Sequence, residues 1–250
     1  MLKPPTYSEF LLRRLHSLTG LLPLGVFVMF HIFANSFSTR GAEAFNDIVV
    51  KNLRSLPFLT AIEWGTLGAP FMFHMGYGLW IIFAAKPNPT RQKHIRNWAY
   101  IAQRASALVV FVFIIYHVVT LRYGVVDHKP DVFSVLHTRF RDIAIFTWYT
   151  IGIAFTAFHL ANGLCTFMMT WGITVGRGSQ KLAAYAMTGL GFAVFGLGMA
   201  AMAGFVMNPP LREVSREEAV NGARGPASAY YQNHKPAPSA TGGGHVDAKK

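Results

Sequence analysis

The chain has 250 residues, of which 52% are hydrophobic and 14% charged, with a mean hydropathy of +0.31. Soluble domains devote about a quarter of their residues to charge, so that class is excluded and an integral membrane protein is indicated. The net charge of +12 sits at the ends of apolar runs and in the C-terminal tail, where anionic lipid and partner subunits account for it better than nucleic acid does.

Five runs contain no Asp, Glu, Lys or Arg: Leu15 to Thr39, Trp64 to Ala85, Ala105 to Leu121, Ile143 to Gly176 and Leu182 to Leu211. A bilayer core about 30 Å thick takes roughly 20 residues of helix. The predicted spans are therefore at about 15–37, 64–85, 98–121, 143–173 and 182–206, the third admitting Arg104 near its entrance. This predicts an all-α integral membrane protein with five transmembrane helices in one domain, residues 1–207. The segment before span one reads as a short polar lead rather than a cleaved signal, because the apolar run is too long and no small-x-small site follows.

Pro23 removes a backbone donor and predicts a kink in span one. Lys3, Arg13 and Arg14 precede that span, and residues 86–96 between spans two and three hold four basic residues. By the positive-inside rule both segments are cytoplasmic and the C-terminal tail lies outside, with the chain in the cell's inner membrane. Cys165, in span four, is the single cysteine. It excludes an intrachain disulfide, a multi-cysteine iron–sulfur ligand set and a C-x-x-C-H haem attachment. Span five is rich in small residues and has no histidine, so it reads as a packing helix. From Asn208 onward Pro, Gly, Ala and Ser dominate without apolar periodicity, which predicts a disordered tail over 208–250 with His234 and His245 solvated.

Four histidines fall one per span: His31, His74, His117 and His159, at gaps of 43, 43 and 42 residues. An ionisable group inside a bilayer is costly and is read with a partner. A low-spin b-type haem takes two imidazoles from facing helices, so four histidines make two such haems, and four of the spans form a haem-binding bundle. With both axial positions filled, the iron passes electrons and binds no substrate. Depth pairs the rings. His117 lies five residues before Arg122, roughly 8 Å from the outer boundary at 1.5 Å rise per residue, and His31 lies six before Phe37. His74 is 11 residues from Glu63, roughly 16 Å in, and His159 is 16 residues after Ile143. His31 thus pairs with His117 near the outer face, and His74 with His159 deeper in. Gly76, Gly78 and Gly163 beside these histidines permit close approach of a flat group.

The stretches "FLLRRLHSLTGLLPLGVFVMFHIFANSF", "RGAEAFN", "RNWAYIAQR", "FHLANGLCTF" and "TWGITVGRGSQ" closely resemble the di-haem cytochrome b membrane subunit of succinate dehydrogenase, shared with some fumarate reductases. The likeness runs from about Ser8 to Phe205. It implies an anchor for a flavoprotein and an iron–sulfur subunit, which oxidise succinate and deliver electrons through two haem b groups to a quinone, in this type menaquinone. It implies His31, His74, His117 and His159 as the haem ligands. Haem propionates need donors, and arginine gives strong charge-assisted pairs. Arg104 is 13 residues before His117, roughly 20 Å toward the cytoplasm, where Arg14, His16 and Ser17 also lie. These four are candidates for the propionates of the inner haem or a site proximal to it. Quinone reduction takes up protons, and Glu63 borders the outer end of span two, where only Asp142 is a comparable carboxylate. Glu63 is thus the candidate proton-conducting group.

The alternatives are a cytochrome b anchor of another quinone-linked dehydrogenase and, from a different class, a proton-coupled transporter with histidine relays. The quinol-oxidising cytochrome of bc complexes carries two histidines on each of two helices. Here only His16, at the boundary 15 residues before His31, departs from one per helix.

Overall fold

A computed structural model describes residues 6–84, 95–127 and 129–221. Among them every regular element is helical. In chain order these are α1 (Tyr7–Arg40), α2 (42–54), α3 (Leu59–Ala84), α4 (Asn97–Val126), α5 (Val132–Phe140), α6 (Ile143–Thr170), α7 (Arg177–Met207) and α8 (Arg216–Asn221). The helices α1, α3, α4, α6 and α7 are each long and apolar enough to cross a bilayer. The chain is an all-α integral membrane protein.

Helix α1 begins well before the predicted span. Thr6 and Glu9 form a capping box: Thr6 N–H donates to Glu9 Oε2 at 2.9 Å and Glu9 N–H donates to Thr6 Oγ1 at 3.3 Å. Two orphan donors are thereby satisfied, and His16 lies inside a helix rather than at its edge. Pro23 sits within a π-helical turn, Gly20–Gly25, whose wider hydrogen-bond spacing accommodates the missing N–H. Another π-helical segment, Trp64–Gly68, precedes Pro70 in α3. A longer one, Val118–Val126, follows His117 directly. It carries α4 past the predicted end at 121, so Arg122 lies within the helix and Asp127 borders its end. Asp127 thus joins Asp142 as a carboxylate beside Glu63's end of the bundle, which corrects the expectation that Asp142 alone was comparable.

Helix α7 packs along α6, α6 along α4, and α1 along both α3 and α7. Large apolar side chains such as Phe30, Phe83, Leu182 and Phe192 point outward, as lipid-facing surfaces allow. The contiguous buried core lies at one end, here termed the capped end. There α2, α5 and α8 close over the ends of the spans around Phe45, Val125, Phe133, Val135 and Phe205. The end of α1 rides on α7 at Gly204, where a Cβ would meet Ser38 Oγ and Thr39 N at 2.6 Å. Ser38 Oγ also donates to Ala201 O at 2.7 Å.

Residues 208–221 differ from the composition-based expectation of a disordered tail. The Ser134 hydroxyl accepts the Leu211 N–H at 2.9 Å, Val214 and Ala219 are buried, and Ser215 caps α8 by accepting Glu218 N–H at 3.1 Å. Burial against α5 supplies what the segment's own composition lacks. Residues 222–250, with His234 and His245, lie outside the described residues, as do His94 and His128.

Candidate functional site

Two pairs of imidazoles occupy the interior of the bundle. The rings of His31 on α1 and His117 on α4 are 5.6 Å apart, centre to centre, with planes at 89°. Those of His74 on α3 and His159 on α6 are 6.4 Å apart at 87°. The first pair is nearer the capped end. Phe27 and Phe113 pack on its two rings at 5.3 and 5.7 Å, and Tyr149 lies 5.8 Å from His117.

Hydrogen bonds fix the tautomers of the second pair. The His16 carbonyl takes the His74 Nδ1–H at 2.9 Å, leaving Nε2 of His74 with its lone pair. At His159, Nδ1 is 3.1 Å from Ser106 Oγ. The Ser106 hydroxyl donates its one proton to Gln103 O at 2.9 Å, so it accepts from His159 and Nε2 is again bare. Orientation of a metal-binding histidine through its other nitrogen is the usual support for such a ligand. Gln103 extends the support, donating to His159 O at 3.0 Å and accepting from Asn162 Nδ2 at 2.8 Å. Gly20 lets the His74 ring lie across α1, since a Cβ there would fall 2.4 Å from His74 Cε1. In the first pair, Asn35 Nδ2 donates to His31 O at 2.8 Å and stands 3.4 Å from its Nε2. Nδ1 of His117 is buried without a partner.

The remaining sequence candidates divide between two places. The ring of His16 stacks on His74 at 4.1 Å and 8°, a contact that sequence reasoning missed by setting His16 at the boundary. Ser17 Oγ accepts from Trp171 Nε1 at 3.0 Å and donates to Arg14 O at 2.9 Å. The Arg14 guanidinium lies 5.0 Å from both Phe10 and Trp171, with Nη1 buried and unpartnered. Arg104 instead folds onto Tyr100 of its own helix, 3.4 Å from the ring centre, with Nε buried and unpartnered. Glu63, toward the capped end of α3, is held by both arms of Arg122 at 2.8 and 2.9 Å, and Arg122 also contacts Asp127.

A family model described as "Succinate dehydrogenase/Fumarate reductase transmembrane subunit" matches residues 84–198. The chain is also 36% identical over 198 residues to the "Succinate dehydrogenase cytochrome b558 subunit" of Bacillus subtilis (strain 168), covering 79% of this chain and 98% of that protein. The chain belongs to the succinate dehydrogenase cytochrome b family. It is accordingly a multi-pass membrane subunit of an oxidoreductase complex, and the family implies haem b. Membership removes the transporter and the cytochrome of bc complexes as readings.

The residues present fit that group. Nitrogen–metal bonds of about 2 Å on either side of one metal ion set two imidazole centres roughly 6 Å apart, close to both observed separations. Two rings of the four have an Nδ1 hydrogen bond that frees Nε2, and the bare Gly20 lets the His74 ring pack against α1. Among the described residues no group of three or more His, Cys, Asp or Glu side chains gathers to hold a metal, so paired imidazoles are the ligand sets on offer.

Proposed function

We propose that this subunit anchors succinate dehydrogenase in the membrane and carries electrons from its iron–sulfur subunit, through two bis-histidine b haems, to a quinone, with menaquinone as the favoured acceptor. His31 and His117 hold one haem, and His74 and His159 the other. The observation that carries this reading is the occurrence of two separate imidazole pairs, at two depths, on four different helices. Each haem would supply a one-electron carrier, held by the two imidazoles of its pair. The protein's part is to fix ring orientation and to keep the pairs in an apolar surround.

The flavoprotein and iron–sulfur subunits would dock on the cytoplasmic face. The basic segments at Lys3 to Arg14 and at 86–96 support placing that face opposite the capped end, which puts the N-terminus in the cytoplasm and residues 208–250 outside. His31 and His117 then belong to the outer haem, and Arg14, His16 and Ser17 lie at the level of the inner one. The unpartnered Arg14 Nη1 and the unpartnered Arg104 Nε are consistent with propionate donors there.

Glu63 is the candidate for proton delivery to quinone at the outer side. Arg122 pairs with both Glu63 and Asp127, so three charged side chains gather at that end of the bundle.

The test is the haem count of the purified complex, with dithionite-reduced spectra of the four single His→Ala variants. One haem should be lost in each, grouped as 31 with 117 and 74 with 159. A complex holding fewer than two haems, or losses grouped otherwise, overturns the reading.

A further inference from the structure

Where α7 ends at the capped end, a cavity of about 410 Å³ lies between α5, the last turn of α7 and residues 208–214. That is within the range of about 300–1,000 Å³ usual for small-ligand sites. Its walls carry two opposite charges, Arg141 and Glu213. Among the described residues neither enters an ion pair, with the other or with any third group. The charges around them are already matched: Asp142 with Arg216, and Glu218 with Lys129 and Arg212. Two further polar side chains of the wall are spent on main-chain carbonyls. Thr138 Oγ1 donates to Val214 O at 3.4 Å, and Asn208 Nδ2 donates to Ser38 O and Gly204 O, both at 3.0 Å.

Arg141 is exposed, yet a buried group sets its position. His137 on α5 is 7% exposed and lines the same cavity. Its Nδ1–H donates to the Phe205 carbonyl at 2.9 Å, and its Nε2 accepts from Arg141 Nη1 at 3.4 Å. The guanidinium is thereby drawn toward the cavity, with its other N–H groups left for a ligand. Pro209 and Pro210 on the wall have no N–H to offer. The surround is apolar: Met207 lines the cavity with its side chain exposed, and the exposed Ile143 opens α6 two residues after Arg141. An occupant must therefore present charge of both signs inward and an apolar body along α7. An anionic headgroup would satisfy Arg141 but set its charge against Glu213. A quaternary ammonium has no N–H to give a carboxylate, and a quinone carries neither charge.

We infer that this cavity holds the headgroup of an ethanolamine phospholipid, with the phosphate on Arg141, the ammonium on Glu213 and the acyl chains running along α7 past Met207. Such a lipid would touch α5, α7 and residues 208–214 at once and so tie the closing segment to the spans. The inference goes beyond the proposed electron path. It needs the capped end to lie at a bilayer surface, and it is independent of how many haems the bundle carries.

The experiment incubates the intact, detergent-washed complex with vesicles of equal parts phosphatidylethanolamine, phosphatidylglycerol and phosphatidylcholine, and counts retained lipid by native mass spectrometry. Wild type, R141Q, E213Q and K181Q are compared, the last altering an exposed charge at the other end of α7. Wild type and K181Q retain phosphatidylethanolamine in preference to the other two. In R141Q its retention falls about tenfold or more, as loss of one charge-assisted pair predicts. In E213Q the preference over phosphatidylglycerol disappears. Equal retention of the three lipids by wild type, or undiminished phosphatidylethanolamine in R141Q, overturns the inference. So does displacement of the lipid by inorganic phosphate alone, which would make the cavity a simple anion site. If R141Q does not accumulate, E213Q decides: an unchanged preference in that variant overturns the inference equally.

Discussion

The imidazole of His16 lies flat on that of His74, ring centres 4.1 Å apart and planes 8° from parallel, while the carbonyl of the same residue takes the His74 Nδ1–H. One residue thus acts on the proposed ligand twice. Its main chain sets the tautomer, and its side chain restricts rotation of the ring.

His16→Ala keeps the carbonyl and removes the stack. Haem content should remain at the wild-type value, while the absorption band and midpoint of the haem assigned to His74 and His159 shift and those of the other do not. Loss of a whole haem in this variant would make His16 itself a ligand and displace His74 or His159 from that role.

Gly20→Ala places a methyl 2.4 Å from His74 Cε1, whereas a Cβ on Gly76 meets nothing within 4 Å. Overpacking of this kind costs about 1–3 kcal/mol. Gly20→Ala should deplete the haem of the His74 pair, with Gly76→Ala retaining both. Equal haem content in the two variants would show that the ring does not need the space over α1.

Glu63→Gln weakens the pairing that Arg122 makes through Nε and Nη2 and removes the proposed proton-accepting group. Succinate:quinone turnover should fall by an order of magnitude or more, while succinate oxidation with an artificial acceptor and both haem spectra are retained. Undiminished quinone turnover would take Glu63 out of the proton path.

The closure of α8 should depend on acid. Hydrogen bonding to Arg212 lowers the pKa of the Glu218 carboxyl from its ordinary value, with Lys129 adding to the effect. A carboxylate with a depressed folded-state pKa contributes stability that is complete above its ordinary value and is lost as pH falls through the folded one. Proteolysis within 208–221 should therefore be slow at neutral pH and accelerate below about pH 4. Glu218→Gln should cleave readily at both; acid-dependent cleavage unchanged in that variant would assign the transition to another group.

The spans were legible because long uncharged runs in a weakly charged chain leave few other structures. The pairing of the four histidines was legible because each falls inside a different uncharged run and their depths match two by two. What was missed depended on local chemistry at helix ends. Thr6 and Glu9 spell a T-x-x-E capping signature that would have begun α1 early enough to place His16 inside it. Ser215 and Glu218 spell the S-x-x-E equivalent for α8. The reach of α4 to Val126 had no such signal, since a π-helical continuation is set by packing against the cap rather than by residue type. Arg122 therefore read as a boundary charge, and its grip on Glu63 needed the folded chain. The burial of Arg139 on α5 was equally hidden, because one carbonyl it donates to, that of Ala219, lies 80 positions later.

Among the described residues the buried core joins the spans at one rim, under α2, α5 and α8. Local stability is therefore graded along the membrane normal. Main-chain hydrogens under that rim exchange slowest, while those near residues 7–17 and 171–177, far from the lid, gain protection only as porphyrin and neighbouring subunits arrive to fill and cover that side.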